Sequence, residues 1–350
     1  MKPYFSFQWH ITDECDQRCK HCYIFAENTH KCPDFMNIGQ MDMVLENCLD
    51  FCDTYGRQPY FYLTGGDPIL HPDFWTLLDK FKEKKIPFTI MGNPFHLTEE
   101  VCKKLADCGC LRYQMSIDGT EKTHDWFRKP GSFKTTLEKV AIINGAGIRS
   151  IIMTTVSDKN IDEIPDIIDA VVAAGANVYA FARYCPTSDD KENSISPKRY
   201  RKLLEDCDNI YRSYEEEGCE TYFNRKDHLW TLFDYEKGRF HIPADAEPEM
   251  IYGGCNCGNC HLTILPTGDV YACRRVQNSC VGNVFSDKLS DLWINELEQY
   301  RNYDNFKKCS KCKLLAWCRG CPAVACSSGG DFYAEDPQCW ADSLEGLLIK

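Results

Sequence analysis

The sequence predicts an α/β fold, with an open barrel of parallel strands followed by a small cysteine-rich C-terminal domain. Short β-like runs alternate with segments of helical spacing within residues 1–187, as they do in βαβ units. A charged, helical stretch from 188 to 249 then bridges to residues 250–350. Those last residues hold eleven of the 23 cysteines, so we expect bound ligands rather than a large core to hold them together.

Six β-like runs in the first 187 residues each predict one strand. They are YFSFQWHIT (4–12), YFYLTG (60–65), PFTIMG (87–92), LRYQMSIDG (111–119), IRSIIMTTV (148–156) and NVYAFARY (177–184). Helical spacing is clear in MDMVLENCLDFCDTYG (41–56), HPDFWTLLDKFKEKK (71–85) and NIDEIPDIIDAVVAAGA (160–176). Because six units are counted rather than eight, we predict a partial (β/α)6 TIM-like barrel with ligands at the carboxyl ends of its strands.

Composition excludes several classes of function. The formal net charge of −12 argues against a nucleic-acid surface, which should be basic. No apolar run approaches the roughly 18 residues of a membrane span, and the N-terminus lacks the pattern of a secretory signal. We therefore expect a cytoplasmic protein that binds neither nucleic acid nor membrane. In that compartment thiols stay reduced, so the many cysteines indicate metal ligation rather than disulfides.

The stretch CDQRCKHCY places three cysteines, Cys15, Cys19 and Cys22, directly after the first predicted strand. Iron–sulfur clusters are usually held by four thiolates, so three local ligands leave one iron open. An open iron can bind a small molecule through an amine and a carboxylate, as S-adenosylmethionine (SAM) offers. The alternatives are three structural cysteines in a loop, or three zinc ligands with a distant fourth.

This cysteine motif, with Tyr23 behind it, resembles the signature of the radical SAM enzymes. TGGDP, Thr64–Pro68, ends the second predicted strand and is similar to that family's Gly-Gly-Glu-Pro turn, whose backbone takes the amino group of SAM. Glycines suit this role because they allow close backbone approach. Asp67 stands in place of the usual Glu and is one methylene shorter.

Polar residues at two later strand ends extend the resemblance. Asn93 in MGNP occupies the polar position of the family's Thr-Asn-Gly strand end. SIDG, with HDWFRKPGSF behind it, is similar to a subgroup pattern in which Ser116 and Arg128 would hold the methionine carboxylate, which a guanidinium fork fits. Taken alone, Gly-Gly-Asp-Pro is a common turn and Arg128 a surface residue. The resemblance implies SAM-binding roles for Tyr23, Gly65, Gly66, Asp67, Pro68, Asn93, Ser116, Asp118 and Arg128.

The C-terminal region contains GDVYAC (268–273) and CSKCKLLAWCRGC (309–321). This pattern resembles the SPASM extension, which carries two auxiliary [4Fe–4S] clusters in peptide-modifying radical enzymes. This chain departs from the family by placing two residues rather than three between the cysteines of the WCRGC stretch. The resemblance implies one cluster held by Cys309, Cys312, Cys318 and Cys339. The other would use Cys273, Cys321 and two of Cys255, Cys257 and Cys260. Paired CxxC spacing also suits zinc, so a zinc ribbon stays an alternative.

The other cysteines have no ligand spacing. Cys326 is either a substrate anchor, a redox relay or a small buried residue, and Cys280 is expected to be buried. Arg183, in RYCPT, resembles a strand-ending Arg of the family and is a candidate substrate contact like Cys326. His21 and His71 are interpreted as incidental neighbours of the site. Packing roles are expected for Cys32, Cys48, Cys52, Cys102, Cys108, Cys110, Cys185, Cys207 and Cys219.

The resemblance implies a radical SAM peptide-modifying enzyme with three [4Fe–4S] clusters, one at the SAM site and two auxiliary. Such an enzyme cleaves SAM reductively to a 5′-deoxyadenosyl radical, which takes hydrogen from a ribosomally made precursor peptide. A Cys thioether crosslink is the expected product, ahead of C–C crosslinking, epimerisation and formylglycine formation in sulfatases. The cofactor supplies the difficult chemistry and the protein supplies position and exclusion of water.

Partners follow from the same resemblance. An electron donor such as flavodoxin or ferredoxin is implied, and leader recognition is expected from a separate protein, from the bridging segment, or not at all. An alternative of another class is a non-catalytic iron–sulfur electron carrier, which would have degraded SAM ligands. The motif cysteines, Gly65, Gly66, Ser116 and Arg128 are all present, which argues against that alternative.

Overall fold

The structure is a computed structural model that describes residues 2–25, 34–186, 195–247 and 249–349. A single sheet of ten strands runs through both the barrel and the C-terminal residues, in the order β10-β9-β8-β1-β2-β3-β4-β5-β6-β7. The strands are β1 Tyr4–Thr12, β2 Gln58–Gly65, β3 Phe88–Met91, β4 Cys110–Ser116, β5 Arg149–Val156, β6 Val178–Arg183, β7 Tyr222–Asn224, β8 His261–Ile264, β9 Asp269–Tyr271 and β10 Cys280–Asn283.

Strands β1 to β6 are parallel and follow one another across the sheet, which confirms the predicted α/β fold with a partial barrel. The sheet extends further than predicted at both sides. The bridging segment, expected to lack strands, supplies β7 in parallel to β6. On the other side β8 pairs in parallel with β1, and β9 and β10 continue antiparallel. The cysteine-rich residues therefore share the sheet of the barrel.

Ten α-helices accompany these strands in the described residues. They are α1 Ile38–Thr54, α2 Phe74–Lys84, α3 Glu99–Asp107, α4 Glu121–Phe127, α5 Ser132–Gly145, α6 Ile164–Ala173, α7 Pro197–Glu216, α8 Leu229–Glu236, α9 Leu289–Asn295 and α10 Pro322–Ser327. The three helices predicted from spacing correspond to α1, α2 and α6. Capping hydrogen bonds fix where two of the helices begin. Asn37 and Gln40 form a capping box at the N-terminus of α1, and the Ser196 hydroxyl caps α7, whose first residue is Pro197.

The two faces of the barrel sheet differ in chemistry. The face toward the helices is apolar: the Phe7 and Phe61 rings lie 5.3 Å apart across β1 and β2, and Phe61 lies 4.9 Å from Phe81 of α2. Alternation along a strand points every second residue the other way. On that inner face Gln8 stands beside Tyr62 of β2 and Thr263 of β8, and all three are polar. The inner face is thus polar at β1, β2 and β8, whereas at β5 and β6 it carries Met153 and Ala180.

Among the described helices, not one combines the length and the apolar character needed to span a membrane. The predicted boundary at residue 187 falls outside the described residues, as do Cys32 and Thr187.

Candidate functional site

The three cysteines of the opening motif lie in the cysteine loop, defined here as residues 13–25 immediately after β1. This loop rests on the glycine turn that ends β2: the Gly66 N–H donates to the Thr12 carbonyl (2.8 Å), and the Asp67 N–H donates to the Glu14 carbonyl (2.7 Å). A Cβ on Gly66 would lie 2.0 Å from the Glu14 oxygen. Only glycine therefore permits this approach.

Two predicted SAM-site residues contact the cysteine sulfurs. The Asn93 amide, just beyond β3, donates to Cys15 Sγ (3.2 Å) and to Asp16 Oδ1 (2.8 Å). Arg128, at the end of α4, donates to Cys19 Sγ (3.8 Å). Burial raises the pKa of all three motif thiols, and Arg128 opposes that rise at Cys19. Metal binding here would release protons, because thiolates are the ligands.

Asp67 is a fully buried carboxylate in the same place, and no well-formed hydrogen bond reaches its oxygens among the described residues; the backbone N–H groups of Asn93 and Ile69 are the nearby donors. Burial first, and then the neighbouring Asp16, raises the pKa of Asp67 to about 7. The ligand atoms of Asp16, Asp67 and His96 lie within 4.8 Å of one another. A buried acid without a partner is costly, so this position suits a cationic group.

Asp118 anchors Arg128 from the carboxyl side of β4. The Arg128 Nε donates to Asp118 Oδ2 (2.6 Å), and His21 Nε2 lies 3.2 Å from the same oxygen. Burial would raise the pKa of Asp118, but Arg128 and His21 hold it well below its usual range. His21 is therefore part of the site rather than an incidental neighbour. Ser116, the last residue of β4, lies half-buried two positions before Asp118.

Tyr23 and His71 take different places around the cysteine loop. The Tyr23 ring lies 6.3 Å from that of His10 on β1, and the Arg274 guanidinium lies 5.0 Å from its centre. His71 Nε2 donates to the Met36 carbonyl (2.7 Å), and its Nδ1 accepts from the Asp73 backbone N–H (3.0 Å), so both ring nitrogens have local partners. His71 thus has a structural role, which agrees with its interpretation as an incidental neighbour of the site.

Four C-terminal cysteines line a small cavity of about 20 Å³. They form the outer auxiliary set, Cys309, Cys312, Cys318 and Cys339, which is the set that the resemblance assigned to one cluster. Asp336, Lys308 and the apolar Leu232 and Leu314 complete the lining. In the described residues no three cysteine sulfurs lie within 4.8 Å of one another. A single zinc ion would draw its thiolates to ~3.8 Å apart, so the spacing disfavours the zinc ribbon.

A second group of thiols lies nearer the barrel and forms the inner auxiliary set: Cys255, Cys257, Cys273 and Cys321. The Cys257 sulfur lies against those of both Cys255 and Cys273. Cys321 takes its position from Asp336, which accepts a hydrogen bond from its backbone N–H (2.8 Å). Cys260 precedes β8 and lies near Arg57 and Cys255. The structure therefore brings together Cys255 and Cys257 of the three alternatives.

Comparison with known proteins agrees with this geometry. The model of the radical SAM superfamily matches residues 9–171, and that of the SPASM iron–sulfur cluster-binding domain matches residues 255–322. This chain belongs to the radical SAM superfamily. It is a radical SAM enzyme with a SPASM domain.

Relatives with different names align over nearly the whole radical SAM chain. It is 26% identical over 342 residues to the AdoMet-dependent heme synthase of Methanosarcina barkeri, covering 95% of each protein. It is 24% identical over 359 residues to the mycofactocin maturase MftC of Mycobacterium tuberculosis, covering 98% of this chain and 84% of that protein.

Solved structures share the radical SAM and SPASM fold. Streptococcus suis SuiB bound to S-adenosylmethionine has a TM-score of 0.73 at 18% identity, covering 97% of this chain and 78% of that one. Native anSMEcpe with bound AdoMet has a TM-score of 0.74 at 17% identity, covering 95% of this chain and 94% of that one. At these identities the likeness shows the fold.

Arg183 does not have the place predicted for it in this radical SAM enzyme. It is 3% exposed, on the helix-facing side of β6, rather than open to substrate. Its guanidinium donates to Asp227 (2.8 Å), Asp336 (2.6 Å) and Gln338 (2.8 Å). Because its donors are committed to these acceptors, Arg183 joins the barrel to the bridging segment and the SPASM domain.

The remaining cysteines of the radical SAM chain separate into three groups. Cys280 is exposed on β10, contrary to the expectation that it is buried, and Cys326 is half-buried on α10 with its sulfur 4.0 Å from Asn278 Oδ1. Cys185 lies against Cys321 and Arg275, and so is not the packing residue expected. Burial agrees with packing for Cys48, Cys52, Cys102, Cys108, Cys110 and Cys207, while Cys219 is partly exposed.

Proposed function

We propose that the motif cysteines Cys15, Cys19 and Cys22 bind a [4Fe–4S] cluster whose open iron takes SAM. One observation carries this proposal: the three thiols follow β1, Asn93 follows β3 and Arg128 ends α4, and they meet at one edge of the sheet. A bound cluster would supply the electron that cleaves SAM to methionine and a 5′-deoxyadenosyl radical. The chain's own residues bind and orient SAM and keep water from the radical.

The charges of the site support SAM as the ligand. SAM carries an ammonium and a carboxylate, and the site offers a group of opposite charge for each. The buried, unpartnered Asp67 carboxylate suits the ammonium. The Arg128 guanidinium, oriented by Asp118 and beside Cys19, suits the carboxylate, with Ser116 nearby. Asp67 would then act through its side chain although it is shorter than the usual Glu.

We further propose that each auxiliary set holds one [4Fe–4S] cluster, which gives three clusters in total. The four thiols of the outer set line one common cavity, which is the arrangement that a four-iron cluster needs. Cationic groups surround the inner set, since Arg275 and His228 both lie close to its sulfurs. Positive charge of this kind offsets the negative charge of a thiolate-bound cluster. We propose the units 1–187, 188–249 and 250–350 as barrel, bridge and SPASM domain.

For the substrate we propose a ribosomally made precursor peptide, with a Cys thioether crosslink as the product. MftC is a maturase, and SuiB has been solved bound to the precursor peptide SuiA; both align with most of this chain. C–C crosslinking, epimerisation and formylglycine formation remain alternative products. A flavodoxin or ferredoxin would supply the electrons, and a separate protein would present the leader of the precursor peptide. The protein would work in the cytoplasm, whose reducing conditions suit iron–sulfur clusters.

A second candidate substrate is a heme precursor. The relatives named AdoMet-dependent heme synthase align with 95% of this chain at up to 26% identity. The polar side chains on the inner face of β1, β2 and β8 do not by themselves separate the two substrates. Their products differ, so one assay with both substrates decides between them.

The test begins with anaerobic reconstitution, iron and sulfide analysis, and assay of 5′-deoxyadenosine from SAM and a reductant. We expect about twelve irons in the wild type and about eight in a Cys15→Ala/Cys19→Ala/Cys22→Ala variant, with nucleoside only from the wild type. A Cys48→Ala/Cys52→Ala/Cys102→Ala variant, which loses three buried packing thiols, should keep the iron content and the activity. A fully loaded wild type without deoxyadenosine, with peptide or tetrapyrrole present, would contradict the proposal.

A further inference from the structure

Cys185 lies two residues beyond β6, at the edge of the sheet where the cysteine loop also lies. Its surroundings differ from those of a packing thiol. Arg275 Nη1 donates to its sulfur at 3.4 Å and to the Arg183 carbonyl at 3.3 Å. By contrast, Cys48 lies on α1 and is fully buried in the hydrophobic core of the protein. A guanidinium directed at sulfur would offset the negative charge of a thiolate once metal binding has removed the proton.

Cys185 is also in contact with the inner auxiliary set. Its sulfur lies against that of Cys321 and within electrostatic reach of Cys273. Five thiols therefore gather where a four-iron cluster needs four. The question is which thiol of the five is not a ligand.

Chain connectivity decides this question. Cys255 and Cys257 are separated by one residue, and the Cys257 N–H donates to Cys255 Sγ at 3.5 Å. These two sulfurs are tied to the same side of the site. Cys185 and Cys321 touch as well, but they belong to distant segments and can separate when a cluster enters. The four corners of a cluster are then best reached by ligands from different segments.

We propose that Cys185 is a ligand of the inner auxiliary cluster, together with Cys273, Cys321 and one of Cys255 and Cys257. This inference rests on the proposed function, since it requires a cluster at the inner set. Cys185 is the ligand supplied by the barrel, whereas all members of the inner set come from the SPASM domain. The cluster then bridges the two units.

The test isolates the inner cluster. A parent variant of the full chain is expected to hold about four irons. It carries the substitutions Cys15→Ala, Cys19→Ala, Cys22→Ala, Cys309→Ala and Cys312→Ala. Cys185→Ala is then added, beside a matched Cys326→Ala control. Cys326 is half-buried and near Cys273, but no guanidinium contacts it in the described structure. Iron, sulfide and the electron paramagnetic resonance (EPR) spectrum of the reduced protein are measured.

We expect the control to keep about four irons and the parent spectrum, whereas Cys185→Ala falls to about three irons or fewer with a changed spectrum. An unchanged iron count and spectrum in Cys185→Ala would overturn the inference and leave the inner cluster intact. A parent without iron would overturn the inner cluster itself, and Cys185 with it. The two failures are therefore distinguishable.

A second measurement needs no substitution. The loaded wild type is treated with N-ethylmaleimide and alkylation is read by mass spectrometry, before and after iron is removed with a chelator. We expect Cys185 to be protected in the loaded protein and alkylated after chelation, with Cys326 alkylated in both. Alkylation of Cys185 in the loaded protein at the rate of Cys326 would contradict ligation.

Discussion

Replacing Arg183 with methionine removes the guanidinium that two buried carboxylates share. Asp227 and Asp336 each accept hydrogen bonds from it, and both are nearly inaccessible to solvent. Methionine has a similar unbranched stem, so the change in volume is small. The main effect is to leave two negative charges in a low-dielectric interior without their cation.

The structure sets the size of this effect. Removing one partner of a buried ion pair costs about 3–5 kcal/mol of stability. Asp336 would keep the N–H groups of Cys321 and Gln338, and Asp227 would keep that of Leu229, which prevents a larger loss. We therefore expect the free energy of unfolding of Arg183→Met to be about 3–5 kcal/mol below that of the wild type.

The assay is anaerobic urea unfolding of the iron-loaded protein under reducing conditions, followed by tryptophan fluorescence. Arg199→Met is the matched control, because Arg199 pairs with Asp158 and Asp162 at the surface, where such pairs contribute about 0–1 kcal/mol. If Arg183→Met unfolds at the same urea concentration as Arg199→Met, the network does not join the units as described.

Three other predictions concern the sites. Because the pKa of Asp67 is raised to about 7, its carboxyl group ionises between pH 6 and 8. The affinity for SAM, measured by calorimetry, should therefore rise about tenfold over that range, whereas in Asp67→Asn it should not change with pH. Gly66→Ala places a Cβ 2.0 Å from the Glu14 carbonyl and should remove the four irons of the cysteine loop, whereas Gly145→Ala, with open space around it, should keep them. Lys226→Met removes a positive charge near Cys321, so the reduction potential of the inner cluster, measured by EPR titration, should fall by an amount equivalent to ~1–2 kcal/mol per electron. An unchanged potential would contradict this.

Sequence patterns predicted the barrel well because its strands have strong local signals. The first run, 4–12, coincides with β1, and the sixth, 177–184, contains β6. Parallel strands bring their carboxyl ends to one edge, so motifs far apart in sequence were expected to meet, and Asn93 and Arg128 do lie beside the cysteine loop. Strand β7 has three residues, too few for any alternation to be read.

The errors concern residues whose partners are distant in sequence. Cys185 meets Cys321 through the fold, and no spacing rule reports such a contact. Arg183 gave a signal that was available: it follows Tyr179 and Phe181 at every second position of β6, so it shares their buried face. A charged residue on an apolar face needs buried partners, and Asp227 and Asp336 supply them.

The pairing of β8 with β1 has a consequence for how the protein behaves when the SPASM domain fails. Strand β1 has nine residues, and β8 covers its Ser6–Trp9 stretch. Without β8 this stretch becomes an open edge with unpaired backbone groups and aromatic side chains, which is a template for pairing with another chain. Oxidative loss of the auxiliary clusters would therefore first be seen as aggregation, while the barrel itself is still folded.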